Sequence, residues 1–142
     1  LFLKIQGINH LTFSVTNLEA SIAFYRDVLE GTLLVRGEKT AYFDLQGVWL
    51  ALNVQEDILR TEVAYSYTHI AFTVDEQDFP AYVQRLQQLG VTIREGRPRN
   101  EAEAQSVYFT DPDGHLFEFH TGTREQRIQY YKDEKKLMTF YI

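Results

Sequence analysis

The sequence predicts an α+β fold of two paired βαβββ modules that form a cup-shaped sheet. Three observations carry that reading. Short β-branched and aromatic runs alternate with apolar stripes at helical spacing. The block His10-Leu-Thr-Phe-Ser-Val15 recurs as His69-Ile-Ala-Phe-Thr-Val74. Tyr42-Phe43 ahead of Gly47 corresponds to Tyr108-Phe109 ahead of Gly114. Two matches in the same order make duplication a better explanation than chance.

The elements follow in order. Ile8–Val15 reads as a strand from its β-branched and aromatic content. Asn17 is a helix N-cap, and Leu18, Ile22, Tyr25 and Leu29 recur at helical spacing until Gly31. Leu33–Arg36, Thr40–Leu45 and Val48–Asn53 form a meander, with turns at Gly37 and Gln46-Gly47. Thr68–Val74 opens the second set, followed by an acidic helix start at Asp75–Asp78. Phe79, Tyr82, Val83 and Leu86 give that helix its stripe, which stops at Gly90. Val91–Arg94, Ser106–Thr110 and His115–Thr121 complete the set around an Asp111-Pro-Asp-Gly114 turn. A last helix, about 124–136, places Ile128 and Tyr131 on one side. One domain over 1–142 thus holds module 1 (about 5–55), module 2 (about 66–122) and that helix.

Bulk properties narrow the function. A net charge of −6 disfavours nucleic acid, which demands a basic face. No apolar run approaches the ~18 residues of a membrane span, so no membrane partner is expected. Leu1–Asn9 lacks the apolar stretch of a signal peptide, which makes a cytoplasmic protein the expectation. The absence of cysteine excludes disulfides, thiolate ligands and a cysteine nucleophile. Arg94, Arg97, Arg99, Arg124 and Arg127 make the last third locally basic, enough to meet a small anion.

Strand alternation decides which side chains can meet. His10, Thr12 and Ser14 share one face of the first strand, and His69, Ala71 and Thr73 share one face of its repeat. Leu116, Glu118 and His120 alternate with Phe117 and Phe119. A carboxylate between two phenylalanines is costly unless it is paired or bound to a cation. Aligning the repeats on Gly47 and Gly114 makes Ala51 the counterpart of Glu118, so one copy kept a ligand that the other lost. His10, His69 and Glu118 therefore suit a divalent metal of the Mn²⁺, Fe²⁺, Ni²⁺ or Zn²⁺ type acting as Lewis acid. The bland alternative is two core histidines and a salt-bridged glutamate. His120 lies two residues from Glu118 (~7 Å along the strand) and reads as a decoy. His115, in the turn, reads as structural. The same parity puts Tyr42, Trp49, Asn53, Tyr67, Ser106 and Tyr108 on the metal's side.

The assembled pattern resembles the vicinal oxygen chelate superfamily, and within it the fosfomycin-resistance proteins. The resemblance runs nearly end to end, through Gly7-Ile-Asn-His-Leu-Thr-Phe-Ser-Val15, Ser21-Ile-Ala-Phe-Tyr-Arg26, Ser66-Tyr-Thr-His-Ile-Ala-Phe72, Ser106-Val-Tyr-Phe-Thr-Asp-Pro-Asp-Gly-His115 and His120-Thr-Gly122. Tyr130-Tyr-Lys and Met138-Thr-Phe-Tyr141 are similar to the branch that transfers bacillithiol or cysteine. The resemblance implies a domain-swapped homodimer, with His10 from one subunit and His69 and Glu118 from the other. It implies Mn²⁺ or Mg²⁺, with Ni²⁺ or Zn²⁺ as further candidates. The implied substrates are fosfomycin, or a related small phosphonate epoxide, and a low-molecular-weight thiol. Tyr67, Arg97, Ser106, Tyr108 and Arg127 would hold the phosphonate, Tyr42, Trp49 and Asn53 would line the site, and Thr12 would sit beside the oxirane.

Two other readings stay open. The loop Arg97-Pro-Arg-Asn-Glu-Ala-Glu-Ala104 is similar to the family's epoxide hydrolases, but Thr40 stands where those carry a glutamate base. Asp44 or Glu38 would then have to serve instead. A non-catalytic, drug-sequestering protein of the same fold is the third reading, and it would need no metal. Ile58-Leu-Arg-Thr61 and Lys135-Lys-Leu-Met138 depart from the usual transferase pattern.

Overall fold

The computed structural model describes residues 3–60, 66–96, 104–134 and 137–142. The chain divides into two compact units, Leu1–Ser66 with Asp111–His115, and Tyr67–Thr110 with Leu116–Ile142. Each unit contains one four-stranded mixed sheet.

In the first unit, β1 (His10–Val15), α1 (Leu18–Asp27), β2 (Thr32–Arg36), β3 (Thr40–Leu45) and β4 (Val48–Val54) form a sheet of order β1-β4-β3-β2. Strand β1 runs parallel to β4, and the other pairs are antiparallel. Asn17 caps α1 as expected: its backbone is extended and its Oδ1 accepts the Ala20 N–H at 3.0 Å. The helix stops at Asp27, short of the predicted Gly31. The chain reverses through Glu30 in the left-handed region (φ 62°), and Gly31 then passes close to Phe43. A Cβ at Gly31 would lie 3.0 Å from the Phe43 ring and 3.1 Å from the Tyr25 carbonyl oxygen, so a larger residue there would be tightly crowded. The predicted first strand loses its first two residues, beginning at His10 where pairing with Trp49 begins.

The alternate residues Val15, Ala41, Phe43, Leu45, Leu50 and Leu52 are buried together with Ile22 and Tyr25 of α1. Tyr25 carries a polar group into that core. Its hydroxyl donates to Asp111 Oδ2 at 2.8 Å, and Asp111 also accepts from the backbone N–H groups of Asp113 and His115. His115 Nδ1 lies 2.8 Å from Asp111 Oδ2 and its ring packs edge-on to Phe13, which makes it structural.

In the second unit, β5 (Ile70–Thr73), α2 (Phe79–Gln88), β6 (Thr92–Arg94), β7 (Ser106–Thr110) and β8 (Leu116–His120) repeat the arrangement as β5-β8-β7-β6. Again the first strand is parallel to the last and the hairpin pairs are antiparallel. The expected strand Thr68–Val74 begins only at Ile70, where pairing with Phe117 begins, and the His69 ring just ahead of it lies 2.6 Å from the Tyr67 carbonyl. Asp78 precedes α2 without capping it through its side chain, so the acidic run lies ahead of the helix and not in its first turn. Helix α3 (Arg124–Asp133) opens on a Thr123/Gln126 capping box and ends earlier than predicted. Tyr130 is its buried residue, whereas Ile128 and Tyr131 are only partly covered. No described helix is long and apolar enough to cross a membrane.

Burial and the neighbouring Asp111 and Asp113 carboxylates push the Tyr25 phenol well above its ordinary value. A raised phenol stabilises the fold fully below about pH 10 and loses that contribution as pH climbs toward the folded-state value. Replacing Tyr25 by Phe is expected to cost about 1–3 kcal/mol at neutral pH, by stranding an acceptor of Asp111. Urea unfolding at pH 7 and above pH 10 checks both parts, since the variant should also lose less stability in alkali.

Candidate metal centre

The registers of the inner three strands correspond residue for residue. In the first sheet Thr12 faces Ala51, which faces Tyr42, and Ser14 faces Asn53, which faces Thr40. In the second Ala71 faces Glu118, which faces Tyr108, and Thr73 faces His120, which faces Ser106. Ala51 is thus the structural counterpart of Glu118, and Asn53 that of His120.

The first sheet's half of the candidate set lies on one face. His10 is exposed at the start of β1, with its ring 4.6 Å from Trp49 and its Nδ1 2.7 Å from Asn9 Oδ1. Thr12 is exposed, and Tyr42 meets Trp49 edge-on at 5.3 Å. Asn53 Oδ1 accepts from Thr40 Oγ1 at 2.5 Å. Asp44, a possible base in the hydrolase reading, accepts the Gly47 N–H at 2.7 Å and so closes its own hairpin turn. Glu38 is exposed in the preceding turn.

The second unit gathers the rest. Glu118 is buried on the central strand β8 with Oε1 3.0 Å from His69 Nε2, and Ser106 Oγ donates to its Oε2 at 2.5 Å. His69 Nδ1 lies 2.6 Å from the Tyr67 carbonyl, an acceptor only, so Nδ1 carries a proton. In a neutral ring the Nε2 lone pair then points at a carboxylate oxygen. Two acceptors at that distance repel unless something positive, a second ring proton or a metal cation, lies between them. The donor set therefore fits a divalent ion, which would take Nε2 and a carboxylate oxygen together.

Tyr67, His69, Tyr108, Glu118, His120 and Arg127 all line one cavity of about 400 Å³. The Tyr67 and Tyr108 hydroxyls are 2.7 Å apart, and the Arg127 guanidinium lies 5.9 Å from the Tyr131 ring centre. Ser106 does not line this cavity and uses its hydroxyl within the protein. Arg97 lies outside the described residues. Sequence reasoning missed Tyr131 and Gly122 in the lining and placed His120 too far from Glu118. Although two positions along the strand, the His120 side chain leans back to put Nδ1 3.4 Å from Glu118 Oε2 and 2.7 Å from Ser106 Oγ. Its parity with Glu118 was the available signal. Among the described residues, no three His, Asp or Glu side chains converge as a complete ligand set.

Comparison with known proteins agrees with this geometry. Residues 7–119 match the profile of the Glyoxalase/Bleomycin resistance protein/Dioxygenase superfamily. The metallothiol transferase FosB of Lysinibacillus sphaericus is 57% identical over 98% of this chain and 99% of its own length. That of Staphylococcus saprophyticus is 54% identical over 96% of this chain and 91% of its own. Among solved structures, a Glu-to-Gln variant of the fosfomycin resistance protein FosX from Listeria monocytogenes holds Mn(II) and 1S,2S-dihydroxypropylphosphonic acid. It aligns with a TM-score of 0.81 at 33% identity, covering 90% of this chain and 99% of that one. FosX from Mesorhizobium loti aligns with a TM-score of 0.75 at 36% identity, over 88% and 99%. With its duplicated sheets and these relatives, the chain belongs to the Glyoxalase/Bleomycin resistance protein/Dioxygenase superfamily.

Proposed function

We propose that this chain is a metal-dependent thiol transferase that opens the epoxide of fosfomycin with a small thiol and so confers resistance to the drug. The carrying observation is the His69 Nε2–Glu118 Oε1 pair, 3.0 Å apart with the other ring nitrogen engaged by the Tyr67 carbonyl, in a chain whose relatives are named metallothiol transferases. Bacillithiol or L-cysteine is the thiol, and Mn²⁺ or Mg²⁺ the resident cation. His10 completes the ligand set, coming from one subunit of a homodimer while His69 and Glu118 come from the other. Its Nδ1 is held by Asn9 as that of His69 is held by Tyr67, which leaves both Nε2 atoms for a ligand role.

The chemistry such a cation supplies is Lewis-acid stabilisation of negative charge growing on the epoxide oxygen. The residues do the rest. The Arg127 guanidinium with the Tyr67 and Tyr108 hydroxyls binds the phosphonate and offsets a dianion that would repel an incoming thiolate. Arg97 joins them, while Thr12, Tyr42, Trp49 and Asn53 line the path beside the oxirane. Attack forms a C–S bond as the C–O bond breaks, and the released oxygen takes up a proton. No cysteine is needed, because the sulfur arrives with the cosubstrate. Thr40 and Asp44 favour transfer over hydrolysis: one is a hydroxyl that donates to Asn53 and the other is engaged in its turn.

Mass spectrometry of fosfomycin incubated with protein, Mn²⁺ and a panel of thiols should reveal a thiol adduct. Diol formed without thiol would instead establish hydrolysis, and unchanged drug would establish sequestration. Replacing Glu118 by Gln keeps the shape and removes the charge. Calorimetry should then show Mn²⁺ affinity falling by more than the ~10–100-fold typical of losing an outer partner.

A further inference from the structure

Ser106 has one hydroxyl proton and two neighbours. Its Oγ is 2.5 Å from Glu118 Oε2 and 2.7 Å from His120 Nδ1. The proton goes to the carboxylate, which can only accept when ionised, so the bond to His120 requires a donor at Nδ1. The three side chains form one directed chain, His120 Nδ1–H to Ser106 Oγ–H to Glu118 Oε2. That chain ties down one carboxylate oxygen and leaves Oε1 aimed at His69 Nε2.

The other sheet supplies the control. At the equivalent positions Thr40 Oγ1 lies 2.5 Å from Asn53 Oδ1, with Ala51 where the carboxylate would stand. Without a carboxylate to bond, the Thr40 hydroxyl proton turns to Asn53. With Glu118 present, the Ser106 proton turns the other way and its cross-strand partner must become a donor. The backbone behind His120 is shaped to match: a Cβ on Gly122 would lie 2.8 Å from His120 Nε2 and 2.9 Å from the Ala104 Cβ. Glycine at 122 leaves room for the ring in this rotamer.

We infer that His120 is a positioning residue that sets Glu118 for its ligand role through Ser106, without itself touching the cation. The inference rests on the proposed metal site. Mn²⁺ affinity, measured by electron paramagnetic resonance on the metal-free full chain, tests it without relying on turnover. His120→Leu should weaken Mn²⁺ binding about 10–100-fold, the usual cost of losing an outer-shell partner. His120→Asn, whose amide NH2 can donate to Ser106 Oγ in place of the ring N–H, should recover most of that loss. Gly122→Ala, which removes no polar group, should weaken binding in the same direction by crowding the ring. The double variant Ser106→Ala, His120→Leu should bind no more weakly than Ser106→Ala alone, because the two act in series.

The inference is overturned if His120→Leu and Gly122→Ala both bind Mn²⁺ as the parent does. It is equally overturned if the effects of Ser106→Ala and His120→Leu multiply, or if Asn fails to rescue and the loss equals that of Glu118→Gln, which would make His120 a ligand. If His120→Leu does not fold, Gly122→Ala and the ability of His120→Asn to bind still decide. Failure of the metal-site reading looks different: neither the parent nor Glu118→Gln would then show Mn²⁺ binding.

Discussion

A carboxylate on the middle strand of a sheet is the constraint around which the second unit is organised. Glu118 is buried between Phe117 and Phe119, and removing a charge from water at such a place costs several kcal/mol unless partners replace the lost hydration. Two of those partners are protein groups, the Ser106 hydroxyl and the His69 ring. The first satisfies an oxygen fully. The second satisfies it only if something positive is shared, because the Tyr67 carbonyl has already claimed the other ring nitrogen. A cation held by that oxygen and the His69 ring together is what the proposed metal site would add.

Duplication explains how so short a chain obtains both a scaffold and a site. The two sheets have the same strand order and register, so packing is solved once and used twice. On the face away from the buried apolar residues the two copies differ in chemical character. One copy keeps a charged centre, whereas the other carries Ala51 there and surrounds it with Trp49, Tyr42 and Thr12. The first arrangement suits ion binding and the second suits a small organic molecule, which is the division of labour that a metal-assisted reaction on a bound drug requires.

Much of this was legible in the sequence because it depends on parity and local chemistry. Period-two alternation placed His10 with Thr12 and Glu118 with His120, and the Asn17 cap and the glycine turns follow from side chains within a few residues. What escaped was three-dimensional. Helix α1 ends at Asp27 ahead of the reversal through Glu30, and β5 starts only where Ile70 meets Phe117 on the neighbouring strand. His120 comes closer to Glu118 than its spacing suggests because strand spacing measures Cα positions, whereas a long side chain can lean across that interval. Likewise α3 turns Tyr130 inward, and its weak apolar stripe gave no means of choosing that residue over Ile128 or Tyr131.

The Thr40–Asn53 pair in the first sheet has an evolutionary reading. A hydroxyl and an amide already flank the buried Ala51, in the register that Ser106 and His120 hold around Glu118. The machinery that would orient a carboxylate outlived the carboxylate itself, or stood ready before one arrived. Either history leaves a dormant half-site one codon change from a second acidic centre. Ancestry in a duplicated fold can therefore be read from the retained support residues, even where the ligand they once served has gone.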